Sequence, residues 1–397
     1  MNPVIAIDVS KPKSVAAIFS DRNVCVKKPF VFNHSVSELD QIDLWLNTFK
    51  QQHGIQPTVV MEATGNYSKP LTAYFYDHGY DIFVLNPLTT SQIKSKSLRK
   101  IKTDPVDTMR IATVFYNQKL KPYVPDETVY ANLKFLARQY NGFNTTYQEL
   151  VVRLHAVVDL VYPDFNKMFS SVRSKTALNF LKAYPTPHLI RTASLEELSL
   201  AFHSAKKSSE WHLNKANLIK RTVEESLYTP SAQQPILAYY VDLILHMQQT
   251  LDDIRAQMRD LAKLSPCYKL LLSIPGVGEV TASVILSEIG DIHRFHSKKQ
   301  LTAYAGLDPA VFQSGKYTAK NNKISKRGSP YLRKALYQAV CAGISKRSNG
   351  YANKELRAFY DKLLESGKPS RVALTACSAK LLRIIFGILS SETEFRY

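Results

Sequence analysis

Four acidic residues near the start of the chain have the types and positions of a metal site. Asp8 follows the apolar run Val4–Ile7, and Glu62 follows the β-branched run Thr58–Met61. A carboxylate beside buried strand surface is costly without a partner, which makes a cation a natural neighbour. Oxygen ligands without His or Cys favour Mg²⁺ or Mn²⁺ over Zn²⁺. Two such ions can clamp the attacking and leaving oxygens of a phosphodiester.

The other two carboxylates, Asp104 and Asp107, lie three residues apart in the segment KTDPVD. This spacing predicts that they share one face of a helix whose first residue is Pro105. Each acid also has a simpler interpretation: Asp104 as an N-cap, Asp107 as a favourable first-turn charge, and Asp8 or Glu62 as a turn residue. Their occurrence together in one α/β region favours the metal site.

A second group of residues suits contact with phosphate. In the segment PGVG, Gly276 and Gly278 would let the backbone approach a phosphate at the start of the next helix, as in a helix-hairpin-helix turn. A plain turn between two helices would have the same sequence.

A basic loop without acids follows Ser314. Such a loop suits a surface along a phosphate backbone, and the alternative is a solvated loop with no partner. Because serine is a weak nucleophile unless a neighbour activates it, Ser314 by itself is interpreted as a turn residue. The cations of the loop are Lys316, Lys320, Lys323, Lys326 and Arg327.

Alternating strands and helices would position the four carboxylates. Three strand-like runs are predicted to form antiparallel hairpins, and helices and strands alternate after them. Ser35 and Glu38 have the spacing of a capping box at the start of the first helix. The pattern describes a mixed α/β sheet that resembles the RNase H fold. The predicted strands are Val4–Ile7, Ser14–Phe19, Val24–Phe32, Thr58–Met61 and Asp81–Leu85, and the predicted helices are Val36–Phe49, Pro70–Tyr76 and Pro105–Tyr116.

The rest of the chain is predicted to be helical. Apolar residues of Ile236–Leu264 alternate spacings of three and four, which is a heptad seam. The seam predicts a coiled coil or antiparallel pair with another long helix, such as one around Tyr147–Val161, or else a buried core within one subunit. We therefore expect a metal-binding domain at 1–125, a helical or coiled-coil region at 126–265 for oligomerisation and RNA contact, and a basic helical domain at 266–397.

Composition limits the classes of function. The chain has 397 residues and a net charge of +19, and residues 294–397 hold 20 Lys+Arg against 6 Asp+Glu. This excess predicts a polyanionic partner, with nucleic acid the usual one, although basic surface can also serve solubility. Four widely spaced cysteines exclude a disulfide scaffold or zinc ribbon and fit a reducing cytosol. No apolar run has the length of a membrane span, so a cytoplasmic, nucleoid-associated bacterial protein without a membrane partner is expected.

In order and spacing, the motifs resemble the DEDD transposases of insertion-sequence family 110 and their relatives, the Piv-type DNA invertases. The resemblance covers residues 4–120 and 268–390. It rests on the segments IDVSK, MEATGNY, KTDPVD, IPGVG and AGLDP.

The resemblance implies a RuvC-like domain whose DEDD tetrad is Asp8, Glu62, Asp104 and Asp107, and a C-terminal domain whose nucleophile is Ser314. It further implies a covalent phosphoserine link to DNA, and active sites assembled from two subunits of a dimer or a tetramer on DNA. A structured non-coding RNA from the element would pair with target and donor DNA, so that base pairing selects the sites.

Three other functions remain open from the sequence. A Piv-like invertase would act at two fixed sites. A RuvC-like junction nuclease would use metal-activated water and would not need Ser314. A non-catalytic nucleic-acid-binding protein would depend only on the basic C-terminal region.

Overall fold

The computed structural model describes most of the chain, which folds into two compact units, Met1–Pro125 and Asp126–Tyr397. Only the backbone is described at 104–105, 233–235, 313–314 and 317–318. The described residues are 2–87, 104–118, 120, 122–124, 128–202, 207–227, 233–310, 313–314, 317–318, 323–348 and 350–396.

The first unit is built on a five-stranded mixed sheet of order β3-β2-β1-β4-β5. The first three strands pair antiparallel, whereas β4 pairs parallel with both β1 and β5. The predicted mixed α/β sheet is therefore confirmed, including its opening antiparallel strands. The strands are β1 (Val4–Asp8), β2 (Lys13–Asp21), β3 (Val24–Asn33), β4 (Thr58–Glu62) and β5 (Ile82–Leu85).

Helices cover both faces of this sheet. The helices α1 (Val36–His53) and α2 (Ser68–Asp77) contribute to the core on one face, and α3 (Asp104–Asn117) packs on the other. The predicted N-cap of α1 is confirmed, because the Ser35 hydroxyl accepts a hydrogen bond from the Glu38 amide. The second half of the predicted capping box is wrong: the Glu38 carboxylate bonds the backbone and side chain of Asn33 at the end of β3 instead.

The described part of the second unit is mostly helical. Two pairs of two-residue strands interrupt the helices, β6 (Gln313–Ser314) with β7 (Tyr317–Thr318) and β8 (Lys346–Arg347) with β9 (Gly350–Tyr351). The helices are α4 (Thr128–Val161), α5 (Phe165–Met168), α6 (Lys175–Ala183), α7 (Pro187–Thr192), α8 (Leu195–Ala201), α9 (Ser209–Glu225), α10 (Gln233–Ala262), α11 (Pro266–Leu272), α12 (Glu279–Ile289), α13 (Lys298–Tyr304), α14 (Pro330–Ile344), α15 (Lys354–Glu365) and α16 (Ser370–Ser391).

The two long helices α4 and α10 pack antiparallel within the same chain and join two hydrophobic cores. The pairs Tyr140–Arg255 and Tyr147–Gln248 are hydrogen-bonded across them, and the opposite order of these pairs along the two helices sets the direction. One set of heptad positions on α10 is buried: Leu237, Ile244, Leu251 and Met258. The heptad seam is thus filled at least partly by α4 of the same chain.

The last helix, α16, belongs to the core of the second unit. It is long and apolar enough to cross a membrane by length and composition alone. However, it carries Arg371, Lys380 and Arg383, and it packs against α14 and α15. Its buried side chains, including Leu381 and Ile385, lie in the C-terminal hydrophobic core, which accounts for its apolar composition.

Candidate carboxylate and serine sites

Asp8 and Glu62 lie at the same end of two neighbouring strands. β1 and β4 run parallel, and their last recorded pair joins Ile7 to Met61, so the next residue on each strand is an acid. Side chains alternate between the faces of a strand. Both acids therefore share the face of Ala6 and Val60, which belong to the core beneath α3. Each acid is half-buried.

The orientation of α3 brings Asp107 toward the same corner. Near the C-terminal end of the helix, the Tyr116 hydroxyl donates a 2.7 Å hydrogen bond to the Asn2 carbonyl, just before β1. The helix also packs against β1, and with its C-terminal end beside Asn2 we infer that its N-terminal turn lies toward the carboxyl end of β1. Burial raises the pKa of Tyr116 to about 12, which keeps this hydroxyl neutral and able to donate.

Asp107 is buried, with 6% of its surface exposed, and its carboxylate is 2.8 Å from the guanidinium of Arg110. Helix α3 begins at Asp104, one residue before the predicted start, and the Asp104 side chain lies outside the described residues. Arg110 was not among the residues predicted for this site, although its spacing of three from Asp107 on a predicted helix is the signal for such a pair.

The donors at this corner suit a hard divalent cation. Asp8, Glu62 and Asp107 offer only carboxylate oxygens, the ligands that Mg²⁺ and Mn²⁺ prefer. Among the described residues, no three His, Cys, Asp or Glu side chains are close enough together to hold an ion. In the structure one carboxylate oxygen of Asp107 is paired with Arg110, which would compete with an ion for this side chain.

The chain that follows Asp8 is fixed by a buried serine. Ser14 accepts a hydrogen bond from the backbone amide of Ser10, and its hydroxyl lies 2.7 Å from Nε2 of His34. Ser14 is fully buried, and partial burial lowers the pKa of His34. The lowered pKa favours the uncharged imidazole, which supports the segment after Asp8 through Ser14.

In the second unit, the PGVG turn joins α11 to α12. Gly276 has φ +101°, and a Cβ atom there would lie 2.6 Å from the carbonyl oxygen of Ala339 in α14. The buried side chain of Asn353 also donates a hydrogen bond to the Pro275 carbonyl. Packing against α14 accounts for the glycine at 276. Gly278, the N-cap of α12, has open space where a Cβ atom would lie, and its contact with phosphate stays a prediction.

Ser314 lies on a β-hairpin. It pairs with Tyr317, and Gln313 pairs with Thr318. An isolated antiparallel bridge also joins Pro309 to Ile324, and the residues around this bridge are here called the base of the hairpin. The side chain of Ser314 lies outside the described atoms, so its role stays a prediction.

The base of this hairpin is tied to the start of α14. The Ser325 hydroxyl donates a 2.6 Å hydrogen bond to Asp308, and Arg333 donates to the carbonyl oxygens of Ala305 and Gly328. Of the predicted phosphate contacts, Lys323, Lys326 and Arg327 are exposed beside the base, whereas Lys316 and Lys320 lie outside the described residues. These hydrogen bonds hold the residues that flank the segment containing Ser314.

Comparisons with known proteins match both regions. A model described as "Transposase IS116/IS110/IS902 family" matches residues 268–361, which include Ser314. A transposase model of the DEDD type found in IS110 matches residues 5–163, which include all four predicted carboxylates.

Three relatives illustrate the similarity. The "Transposase for insertion sequence element IS1111A" of Coxiella burnetii is 31% identical over 42% of this chain and 45% of its own length. The "Pilin gene-inverting protein" of Moraxella bovis is 28% identical over 54% of this chain and 72% of its own. A "Probable family 20 transposase" of Pseudomonas aeruginosa is 31% identical over 36% and 40%. The matched part of this chain thus spans less than two thirds of two of these relatives.

Proposed function

This chain belongs to the IS116/IS110/IS902 family of transposases, and from that premise we propose that it is an RNA-guided DNA recombinase that moves its own insertion sequence. The observation that carries the proposal is the corner of the first unit. There two adjacent parallel strands end in Asp8 and Glu62, beneath the helix that carries Asp107.

In this proposal the two units share the reaction. Asp8, Glu62, Asp104 and Asp107 would hold Mg²⁺ or Mn²⁺, which would polarise the scissile phosphate and neutralise its charge. The Ser314 oxygen attacks the phosphorus, gives up its proton to solvent and displaces the DNA oxygen, which leaves as a hydroxyl. The phosphoserine bond retains the energy of the phosphodiester for rejoining.

The partners also form part of the proposal. Target and donor DNA are the substrates, and a structured RNA from the element supplies sequence recognition by base pairing. Each active site would combine the carboxylates of one subunit with Ser314 of another, in a dimer or a tetramer on DNA. The three domains expected at 1–125, 126–265 and 266–397 would supply metal binding, assembly with RNA contact, and the nucleophile.

Recombination in bacterial cells tests the proposed function. Cells carrying the gene, its native flanking DNA and a target plasmid should yield joined donor–target sequences with the unaltered chain. Asp8→Asn, Asp107→Asn and Ser314→Ala should yield none. Asp77→Asn is the matched control, because it neutralises an exposed acid of the same unit away from the corner. Wild-type recombination by the Asp8 and Asp107 variants would refute the metal site.

The RNA is tested separately. RNA that co-purifies with the chain from cells carrying the native flanks should be one discrete flanking transcript. A random mixture of cellular RNA would contradict guiding and would point to electrostatic binding alone.

The second candidate is a Piv-like DNA invertase, favoured by the similarity to the pilin gene-inverting protein of Moraxella bovis. The two functions differ in their products. An invertase reverses the segment between two fixed sites on one molecule, whereas a transposase joins its element to a separate target plasmid.

A further inference from the structure

A cleft in the second unit has no predicted site residue among its lining residues. It opens between α4, α12 and α14 and has a volume of about 210 Å³. Its polar lining includes three carboxamides, two tyrosines and two cations. These are Asn141, Asn144, Gln338, Tyr140, Tyr331, Arg138 and Lys334.

A buried carboxylate organises the floor of the cleft. Glu288 is 1% exposed; it accepts a 3.1 Å hydrogen bond from Arg138 and a 2.8 Å hydrogen bond from the hydroxyl of Ser329. Ser329 is in turn the N-cap of α14. Glu288 is the only acid among the lining residues that the structure describes, and Arg138 compensates its charge. The mouth is therefore positively charged.

The side chains of the walls are held in place before any ligand binds. The guanidinium of Arg138 lies 5.0 Å from the ring centre of Tyr331. Lys334 donates a 2.5 Å hydrogen bond to the side-chain oxygen of Asn141, and Arg255 donates to the Tyr140 hydroxyl. Ligand binding would thus cost little side-chain ordering, because these contacts already restrict the rotamers.

This combination of groups matches an unpaired nucleotide. Tyrosine rings stack on a base, carboxamides bond its edge, and lysine or arginine contacts the adjoining phosphate. In a duplex the bases are stacked on each other and their edges are paired, so a cleft of this size between three helices suits a base from a single strand. We propose that the cleft binds one unpaired nucleotide of the nucleic acid that this chain acts with. This inference rests on the proposed function.

Binding of short fluorescent strands to the full-length protein tests the cleft. The probes are a single-stranded RNA, a DNA strand of the same sequence and the corresponding DNA duplex. Since stacking on an aromatic ring contributes substantially to single-strand affinity, Tyr331→Leu should weaken single-strand binding by about 5- to 100-fold. Duplex affinity should stay within about twofold, a change that is small on the same free-energy scale. Comparison of the losses in affinity for the RNA probe and for the single-stranded DNA probe shows which nucleic acid supplies the nucleotide.

Matched controls separate the cleft from general effects. Tyr337→Leu removes a partly exposed tyrosine from another face of α14, and Lys362→Ala removes an exposed lysine of α15. Neither change should alter single-strand affinity, whereas Lys334→Ala should weaken it. If Tyr331→Leu fails to fold, Gln338→Glu is measured in its place. This change puts an acid at an exposed position of the cleft, which should repel the strand and lower its affinity.

Photo-crosslinking locates the base. A single strand that contains 5-iodouracil should crosslink to Tyr331 or Tyr140. Wild-type single-strand affinity in the Tyr331→Leu, Lys334→Ala and Gln338→Glu variants would overturn the cleft proposal. That result would leave the proposed function standing if Asp8→Asn still abolished recombination, so the two failures are distinguishable.

Discussion

At the residue scale, Asp8 and Glu62 matter because of where each stands on its strand. Each ends a run of apolar side chains, and the two strands are parallel neighbours. A sequence shows the first fact but not the second, since pairing of β1 with β4 joins residues more than fifty positions apart. The structure therefore shows that the two strands, and with them Asp8 and Glu62, are neighbours, which the sequence could not show.

The carboxylates predict that divalent metal stabilises the first unit. An ion that the four predicted carboxylates bind only in the folded state would contribute about 2.7 kcal/mol at about 100 times its Kd. Adding Mg²⁺ should raise the melting temperature of the wild type and have little effect on Asp8→Asn or Asp104→Asn. Differential scanning fluorimetry with and without EDTA measures both responses.

The Asp77→Asn variant serves again as the control and should respond to Mg²⁺ like the wild type. An equal Mg²⁺ response in the Asp8 and Asp104 variants would argue against their role as ligands, even if recombination were lost.

At the element scale, the two glycines of the PGVG turn have different surroundings. Gly276 meets α14, and Gly278 opens toward solvent at the N-terminus of α12. The sequence predicts both glycines as phosphate contacts, because it cannot show that α14, about sixty residues later, fills the space beside the first.

Substitution of the two glycines should therefore have unequal effects. Gly276→Ala places a Cβ atom 2.6 Å from the Ala339 carbonyl at a positive φ, and should lower the free energy of unfolding by about 2–4 kcal/mol. Gly278→Ala meets open space at φ −96° and should cost less than about 1 kcal/mol. Urea denaturation measures both, and equal losses would contradict the packing explanation.

Local sequence patterns predicted the helices and strands better than they predicted the contacts between them. The five strands of the first unit follow from short apolar and β-branched runs, and α10 follows from its heptads. The capping box failed in part because Asn33 competes successfully for the Glu38 carboxylate. The hydrogen bonds from Arg138 and Ser329 to the buried Glu288 were missed, since the three residues come from separate segments that only the fold brings together.

At the scale of the whole molecule, the net charge of +19 is concentrated in residues 294–397. Exposed cations beside the Ser314 hairpin include Lys323 and Arg327. A cationic side chain that contacts a phosphate releases a counterion. Each such contact therefore makes the negative slope of log affinity against log salt concentration steeper by about one.

The double variant Lys323→Ala with Arg327→Ala should therefore reduce the slope for DNA by up to about two. The matched control is Lys362→Ala with Lys368→Ala, which removes the same charge from exposed positions elsewhere in this basic region. Binding titrations across a range of salt concentrations measure the slope. An equal reduction in both double variants would mean that the basic loop has no special role.

If the chain rejoins DNA through Ser314, a covalent intermediate forms on that residue, and detecting it is the sharpest test of the proposed reaction. Purified protein with its RNA, Mg²⁺ and labelled DNA is denatured and separated by gel electrophoresis, and the labelled peptide is sequenced by mass spectrometry. We predict a DNA–protein adduct on Ser314 in the wild type and none in Ser314→Ala, which should still bind RNA and DNA. Wild-type strand exchange by Ser314→Ala, or an adduct on another residue, would contradict the account.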